Sequence, residues 1–162
     1  MKPDPLPPPD LDLSRTLLGV WRLVAREDYD ASGRKVIDPF LGPDPIGILS
    51  FAPKQFAAQF MNRSRGGGSA PAAPSAGALP PASGVNNTSA MDGYDAYFGT
   101  YDLDAAAGTI TVSLEGALAR GNIGMKATRD VRVAGERLWI RLATNAADGT
   151  PITRTLTFER CR

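Results

Sequence analysis

The feature that most constrains this chain is a series of short segments in which apolar and polar residues alternate, separated by turns rich in Gly, Asp and Asn. The segment 109–118 is the clearest. Its apolar side chains Ile110, Val112 and Leu114 alternate with polar ones. Successive side chains of a strand point to opposite faces, so this spacing predicts strands with one buried face. No segment has the apolar spacing of a helix longer than a turn or two.

The same pattern recurs along most of the chain. It predicts strands over 20–29, 35–37, 46–51, 55–61, 96–103, 109–118, 127–133, 137–144 and 152–160. Hairpin turns between consecutive strands indicate an antiparallel meander. Closing such a sheet removes its exposed edges, and an eight-stranded barrel is wide enough for one small ligand. We therefore predict an all-β fold, an eight- to nine-stranded antiparallel up-and-down barrel.

Two segments differ in composition from the predicted barrel. Residues 1–12 carry five prolines in the first nine positions, which favours an extended arm. Residues 64–90 consist mostly of Gly, Ala, Ser and Pro, with Arg65 as the only charge. A 162-residue chain suits one domain, so we predict a barrel domain over 13–162 that contains 64–90 as a flexible loop. This loop is either a tolerated insertion or a lid over a site.

The absence of histidine excludes several kinds of chemistry. A Ser-His-Asp or Cys-His catalytic arrangement cannot be assembled, and a zinc site is not expected with Cys161 as the only cysteine. We expect no metal and no cofactor. A net charge of +1 gives no electrostatic reason to expect a nucleic acid partner.

The expected location is cytoplasmic. The first residues lack the apolar stretch of a secretory signal, and no run of about 18 apolar residues could cross a membrane. A single cysteine forms no internal disulfide, which suits a reducing compartment. Neither membrane insertion nor a particular oligomeric state is predicted.

Several pieces of the chain resemble a known family. Gly19-Val20-Trp21 resembles the start of the first strand in the calycins, which include the lipocalins. Further pieces, in order along the chain, resemble the lipocalin-like domain family of small bacterial and fungal cytoplasmic barrels. They are 18–24, 43–51, 58–59, 96–104, 108–111, 114–116 and 158–160. The resemblance implies that Trp21 closes one end of the barrel and that Arg160 of the last strand stacks on it.

The chain departs from this family at one strand. Members often carry one or two histidines where this chain has Val112 and Ser113. Any ligand or reaction that those histidines serve cannot be served here by the same residues.

Uncharged candidates for ligand binding lie on two predicted strands, 55–61 and 96–103. Tyr97 and Tyr101 share a face with Gly99, which leaves space between two hydroxyl groups; ordinary aromatic filling of the barrel is the alternative. Phe60 belongs to an apolar face. Gln59, on the opposite face, either orients a carbonyl group of a ligand or makes a cross-strand hydrogen bond.

Charged candidates complete the set. Arg129 and Arg154 lie on otherwise apolar faces, where an arginine binds a ligand carboxylate or reaches the barrel mouth. Glu115 is a catalytic candidate, together with Tyr97 and Tyr101, if a bulge turns it inward; otherwise it is a surface residue. Four acidic residues nearby are interpreted as a solvated turn. They are Asp92, Asp95, Asp102 and Asp104.

These residues support two main hypotheses. The first is a carrier or sequestering protein for a small, largely hydrophobic ligand in the barrel lumen. The second is an isomerase, cyclase or dehydratase of secondary metabolism, of polyketide or terpenoid type, which guides its substrate by shape with Tyr, Glu or Arg in the lumen. A third hypothesis is a scaffold that binds a protein through the Pro-rich arm.

Overall fold

A computed structural model describes residues 4–66 and 90–162 of the chain. Its regular elements are a short helix and nine strands. They are α1 Leu13–Thr16, β1 Gly19–Asp30, β2 Lys35–Val36, β3 Ile46–Ala52, β4 Gln55–Met61, β5 Tyr94–Asp104, β6 Thr109–Ala117, β7 Lys126–Ala134, β8 Arg137–Asn145 and β9 Pro151–Arg160. Two 3₁₀ turns, Arg63–Gly66 and Arg120–Asn122, follow β4 and β6.

The strands form one closed antiparallel barrel. The sheet order is β2-β1-β3-β4-β5-β6-β7-β8-β9, and β1 also pairs with β9, which closes the barrel with eight strands. The ninth strand, β2, forms a hairpin with β1 outside the closure. The predicted all-β up-and-down barrel is confirmed, and the predicted segment 35–37 is its extra strand.

A β-bulge in β1 changes which side chains face inward. Leu23 pairs with Phe158, but the next pair is Ala25 with Thr157, so Val24 is an extra residue. Trp21 and Leu23 are buried before the bulge, and Arg26 and Asp28 are buried after it. Simple alternation places Ala25 inward and Arg26 outward. That expectation is wrong because one extra residue inverts the alternation downstream.

One end of the barrel is closed by α1 and the first strand. The side chains of Leu13, Leu17 and Trp21 are fully buried there. The Trp21 Nε1 donates a hydrogen bond to the Leu17 carbonyl oxygen at 2.9 Å. The Arg160 guanidinium lies 4.0 Å from the centroid of the Trp21 ring, which is the arrangement that the family resemblance implies.

Arg160 also fastens the chain that enters β1. It donates hydrogen bonds to the carbonyl oxygens of Leu18 at 2.8 Å and Thr16 at 2.6 Å. Gly19 has φ +126°, and a Cβ at this position would lie 2.9 Å from Arg160 Nη1. The glycine of the Gly-x-Trp motif is therefore required by its backbone conformation and by the arginine packed beside it.

The described part of the Pro-rich arm lies against its own barrel. Arg132 Nε donates a hydrogen bond to the Pro7 carbonyl at 3.1 Å, and Arg141 Nη2 donates one to the Asp4 carbonyl. Residues 1–3 of the arm and most of the loop 64–90 lie outside the described residues. The insertion and lid hypotheses for that loop therefore both stay predictions. Within the described ranges, no helix is long and apolar enough to cross a membrane.

Candidate ligand-binding site

The barrel interior holds a group of charged side chains, away from the end that Trp21 closes. Charged residues are rarely fully buried unless they are paired. In the described part of the chain, five charged residues are buried among the inward-facing residues of four strands. They are Arg26, Asp28, Asp95, Arg129 and Arg154.

Two of the three arginines are held by carboxylates. Arg154 binds Asp28 through two parallel hydrogen bonds, Nε to Oδ1 at 2.9 Å and Nη2 to Oδ2 at 3.0 Å. Arg26 Nη2 lies 2.8 Å from Asp28 Oδ2 and 3.0 Å from Asp38 Oδ2. Burial alone would raise the pKa of Asp28, but the charges and hydrogen bonds of Arg154 and then Arg26 outweigh it and lower this pKa.

This pairing bears on the predicted role of Arg154. The edge of its guanidinium that would receive a ligand carboxylate in bidentate fashion already holds Asp28. The geometry therefore assigns Arg154 to an ion-pair network within the barrel and does not support direct ligand binding.

Arg129 is the third buried arginine and differs from the other two. It is 5% exposed, on the interior face of β7, where it pairs with Ile110 of β6. Its Nε and Nη2 atoms have no hydrogen-bond partner among the described residues. These two nitrogens form the same edge with which Arg154 holds Asp28. A buried guanidinium edge of this kind fits a carboxylate.

Asp95 is the second group with an unpartnered atom. It lies on β5, is 1% exposed, and its Oδ2 has no partner in the described part of the chain. Burial raises its pKa to about 7, although a backbone hydrogen bond at Ala96 and the charges of Arg26 and Arg154 oppose this rise. A substantial fraction of Asp95 is therefore protonated at neutral pH.

Asn122 is the third such group. It is buried in the β6–β7 connection, and neither its Oδ1 nor its Nδ2 has a partner within the described ranges. Backbone hydrogen bonds from Leu118 to Ala96 and from Asn122 to Ala119 place this connection beside the Asp95 end of β5.

Buried polar side chains are usually hydrogen-bonded, so the exceptions locate a candidate site. Among the described residues, every buried side-chain polar atom without a partner belongs to Asp95, Asn122 or Arg129. Sequence reasoning identified Arg129 but interpreted Asp95 as part of a solvated turn, which is wrong. Asp92, Asp102 and Asp104 are exposed as expected.

The predicted aromatic residues line the interior next to these groups. Tyr97 is buried, with its ring centroid 6.2 Å from that of Phe60 and 6.1 Å from that of Phe56. Burial raises the pKa of the Tyr97 phenol, and the charge and a side-chain hydrogen bond of Arg129 oppose this rise. Tyr101 donates its hydroxyl hydrogen to the Ala52 carbonyl at 3.0 Å, so this hydroxyl is already engaged.

Two predicted residues lie outside the barrel. Gln59 is exposed, and its Oε1 accepts a hydrogen bond from the Tyr94 hydroxyl at 2.8 Å. Glu115 is exposed on β6. Both side chains point away from the barrel interior. Their placement does not support Gln59 as a ligand-binding residue in the lumen or Glu115 as a catalytic residue there.

Gly99 also differs from its predicted role. The register shifts at this point, since Phe98 pairs with Gly116 and Gly99 pairs with Leu114. A Cβ on Gly99 would lie 1.9 Å from the Ser113 carbonyl oxygen. The glycine therefore admits the backbone of β6 and does not open space for a ligand.

Some of the missed residues carried a signal in the sequence. Asp95 stands two positions before Tyr97, so the alternation that turned Tyr97 and Tyr101 inward applies to Asp95 as well. Arg26 and Asp28 carried no such signal, because the bulge at Val24 inverts their faces.

Two further observations concern metals and relatives. Among the described residues, no group of three His, Cys, Asp or Glu side chains is placed to hold a metal ion. Residues 18–161 match a family model described as a lipocalin-like domain. A search of curated proteins found no match.

Proposed function

Because the chain belongs to the lipocalin-like domain family, we propose that it binds a small molecule with an apolar body and one carboxylate in the barrel interior. The observation that carries this proposal is the Nε and Nη2 edge of Arg129, which has no hydrogen-bond partner within the described residues. A buried charge without a partner lowers the stability of the folded state by roughly several kcal/mol, and a bound carboxylate removes this cost.

The charge balance around the site favours an anion. Arg26 and Arg154 are neutralised by Asp28 and Asp38, whereas Arg129 has no carboxylate partner among the described residues. When Asp95 is protonated, the interior therefore carries one excess positive charge. A single carboxylate on the ligand neutralises it.

The apolar body of the ligand fits the surroundings of Arg129. Val131 and Val133 follow Arg129 on the inner face of β7, and Tyr97, which interacts with Arg129, lies with its ring centroid 6.2 Å from that of Phe60. Ligand sites of proteins are commonly apolar with a few polar groups that fix orientation, and this interior follows that plan.

Calorimetric titration with decanoate, decanol and decanamide tests the proposal. We expect decanoate to bind at least about tenfold more tightly than the two neutral probes, because a charge-assisted hydrogen bond is worth about 1.5–3 kcal/mol. Arg129→Gln should lose this preference. The control is Arg22→Gln, which changes an exposed arginine of β1. Equal binding of decanol and decanoate, or unchanged decanoate binding by Arg129→Gln, would contradict the proposal.

An isomerase or cyclase of secondary metabolism is the second candidate. One observation favours it, namely that a carboxyl group with a pKa of about 7, Asp95, and a phenol, Tyr97, lie on the same inner face of β5. Proton transfer by such groups needs no histidine. NMR of a bound ligand recovered after incubation tests this candidate, since a carrier returns the ligand unchanged.

A cytoplasmic location also stays a prediction, for which cell fractionation is the test.

A further inference from the structure

We propose that Asp95 makes the second polar contact with the ligand by donating a hydrogen bond from its protonated carboxyl group to a carbonyl oxygen, so that the ligand is an oxo acid. This inference rests on the proposed function, in which Arg129 holds the carboxylate of the same molecule. It specifies the class of ligand that the barrel selects among carboxylic acids.

Both polar groups act on the same phenol, that of Tyr97. Asp95 and Tyr97 are two positions apart on β5 and both face the interior. Arg129 lies on β7, one strand beyond β6, and interacts with Tyr97 by its charge and a side-chain hydrogen bond, while the charge of Asp95 raises the pKa of Tyr97. A ligand packed against Tyr97 with its carboxylate on Arg129 therefore has a second polar group of the protein within its length.

Asp95 requires a partner from outside the described residues. Its Oδ2 is buried with no hydrogen-bond partner in residues 4–66 and 90–162, and its side chain is only 1% exposed to solvent. A neutral carboxyl group donates one hydrogen bond, and a ligand carbonyl accepts one without adding charge.

The charged groups near Asp95 explain why the neutral form is available. The charges of Arg26 on β1 and Arg154 on β9 lower the pKa of Asp95, but both arginines are engaged with Asp28. The charge of Asp38, in the β2–β3 connection, raises this pKa. Burial is the largest influence and gives a pKa of about 7.

Proton linkage follows from this contact. A carbonyl that accepts a hydrogen bond from the Asp95 carboxyl stabilises its protonated form, so binding of an oxo acid takes up a proton when the pH is above about 7. The affinity should therefore fall as the pH rises from about 6 to about 8. A ligand with a carboxylate alone should show less dependence on pH.

The experiment compares decanoate with a series of oxodecanoates that differ in the position of the carbonyl. At about pH 6 we expect one member to bind wild type about tenfold more tightly than decanoate, and this advantage should shrink at about pH 8. Asp95→Leu should abolish the advantage and retain decanoate binding. Asp95→Asn should keep much of it, because its Nδ2 donates a hydrogen bond, and should lose the pH dependence.

The control is Asp102→Asn, which changes an exposed aspartate of the same strand. It should leave both the preference and its pH dependence unchanged. Circular dichroism of each variant shows whether it is folded, and Asp95→Asn keeps the test valid if Asp95→Leu does not fold.

The outcomes separate the two proposals. If no carboxylate binds, the proposed function itself is wrong. If decanoate binds through Arg129 but no oxodecanoate binds more tightly than decanoate at either pH value, the proposed role of Asp95 is wrong. Tighter binding of an aminodecanoate than of any oxodecanoate would also overturn it, because Asp95 would then act as an ionised carboxylate.

Discussion

Arg154 and Asp28 face each other inside the barrel in a bidentate pair, with Nε to Oδ1 at 2.9 Å and Nη2 to Oδ2 at 3.0 Å. Both side chains are nearly fully buried, so removing one leaves a buried charge with fewer partners. We expect Arg154→Leu or Asp28→Leu to lower the free energy of unfolding by about 3–5 kcal/mol. Urea denaturation measures this loss.

The double variant and an exposed pair complete that prediction. The double variant Asp28→Leu with Arg154→Leu should lose less free energy of unfolding than the sum of the single changes. Both charges of the pair are removed together, so neither remains buried without the other. Arg137 and Glu159 form an exposed pair at 2.9 Å, and breaking it by Arg137→Gln should cost less than about 1 kcal/mol. Additive losses in the double variant would show that the two residues are not coupled.

The contact between Arg160 and Trp21 predicts a graded loss of stability. Arg160→Met removes the guanidinium over the ring and the hydrogen bonds to the Leu18 and Thr16 carbonyls. We expect it to cost about 2–3 kcal/mol, judged from cation–π and charge-assisted hydrogen bonds. Arg160→Lys should be intermediate, because an ammonium lacks the planar fork. Tryptophan fluorescence during urea unfolding measures both variants, and wild-type stability of Arg160→Lys would contradict this account.

The barrel and most of its strands could be predicted from sequence because alternation is a local signal. Within 109–118, for example, each residue's face follows from its neighbours, and Ile110, Val112 and Leu114 are all buried. Arg129 could be found in the same way, since it shares one face of its strand with Val131 and Val133.

The rest of the site depends on interactions that a local pattern does not contain. A bulge at Val24 decides that Arg26 and Asp28 face inward, and this bulge is set by pairing with β9, more than 100 residues later in the chain. Asn122 lies in a turn, where no alternation indicates its burial. The pairing of Arg154 with Asp28 could likewise not be predicted, because simple alternation along β1 turns Asp28 outward.

The close approach at Gly99 predicts that this position tolerates no side chain. In Gly99→Ala the new Cβ would lie 1.9 Å from a backbone oxygen of Ser113, and backbone yields less easily than a flexible side chain. We expect a loss of about 3 kcal/mol or more, since overpacking a rigid site is destabilising. Gly66→Ala is the matched control, because a Cβ there has no neighbour within 4 Å among the described residues. Thermal denaturation compares the two, and a near-wild-type Gly99→Ala would show that β6 can shift.

The buried carboxyl of Asp95 predicts a characteristic pH dependence of stability without ligand. Its folded pKa of about 7 exceeds its ordinary value of 3.8, so the folded state binds this proton more tightly than the unfolded state. The resulting stabilisation is fully present below about pH 4 and is lost as the pH rises through about 7. Relative to Asp95→Asn, wild type should lose up to about 4 kcal/mol of unfolding free energy between about pH 4 and pH 8. Asp102→Asn should show no such trend, and a constant difference for Asp95→Asn would contradict the assigned pKa.

The unpartnered edge of Arg129 predicts opposite effects on stability and on binding. Arg129→Met replaces a buried, unpartnered guanidinium edge by an apolar side chain of similar length. Without ligand, we expect the free energy of unfolding of this variant to exceed that of wild type by at least about 1 kcal/mol, because the desolvation cost of the buried charge disappears. The lost interaction with Tyr97 offsets part of this gain. The same variant should lose preferential binding of decanoate. Urea denaturation with and without decanoate measures both effects, and Arg22→Met, at an exposed position, should change stability by less than about 0.5 kcal/mol. A destabilised Arg129→Met would show that Arg129 serves the structure of the barrel, whereas stabilisation with loss of binding is the pattern of a residue retained for its ligand.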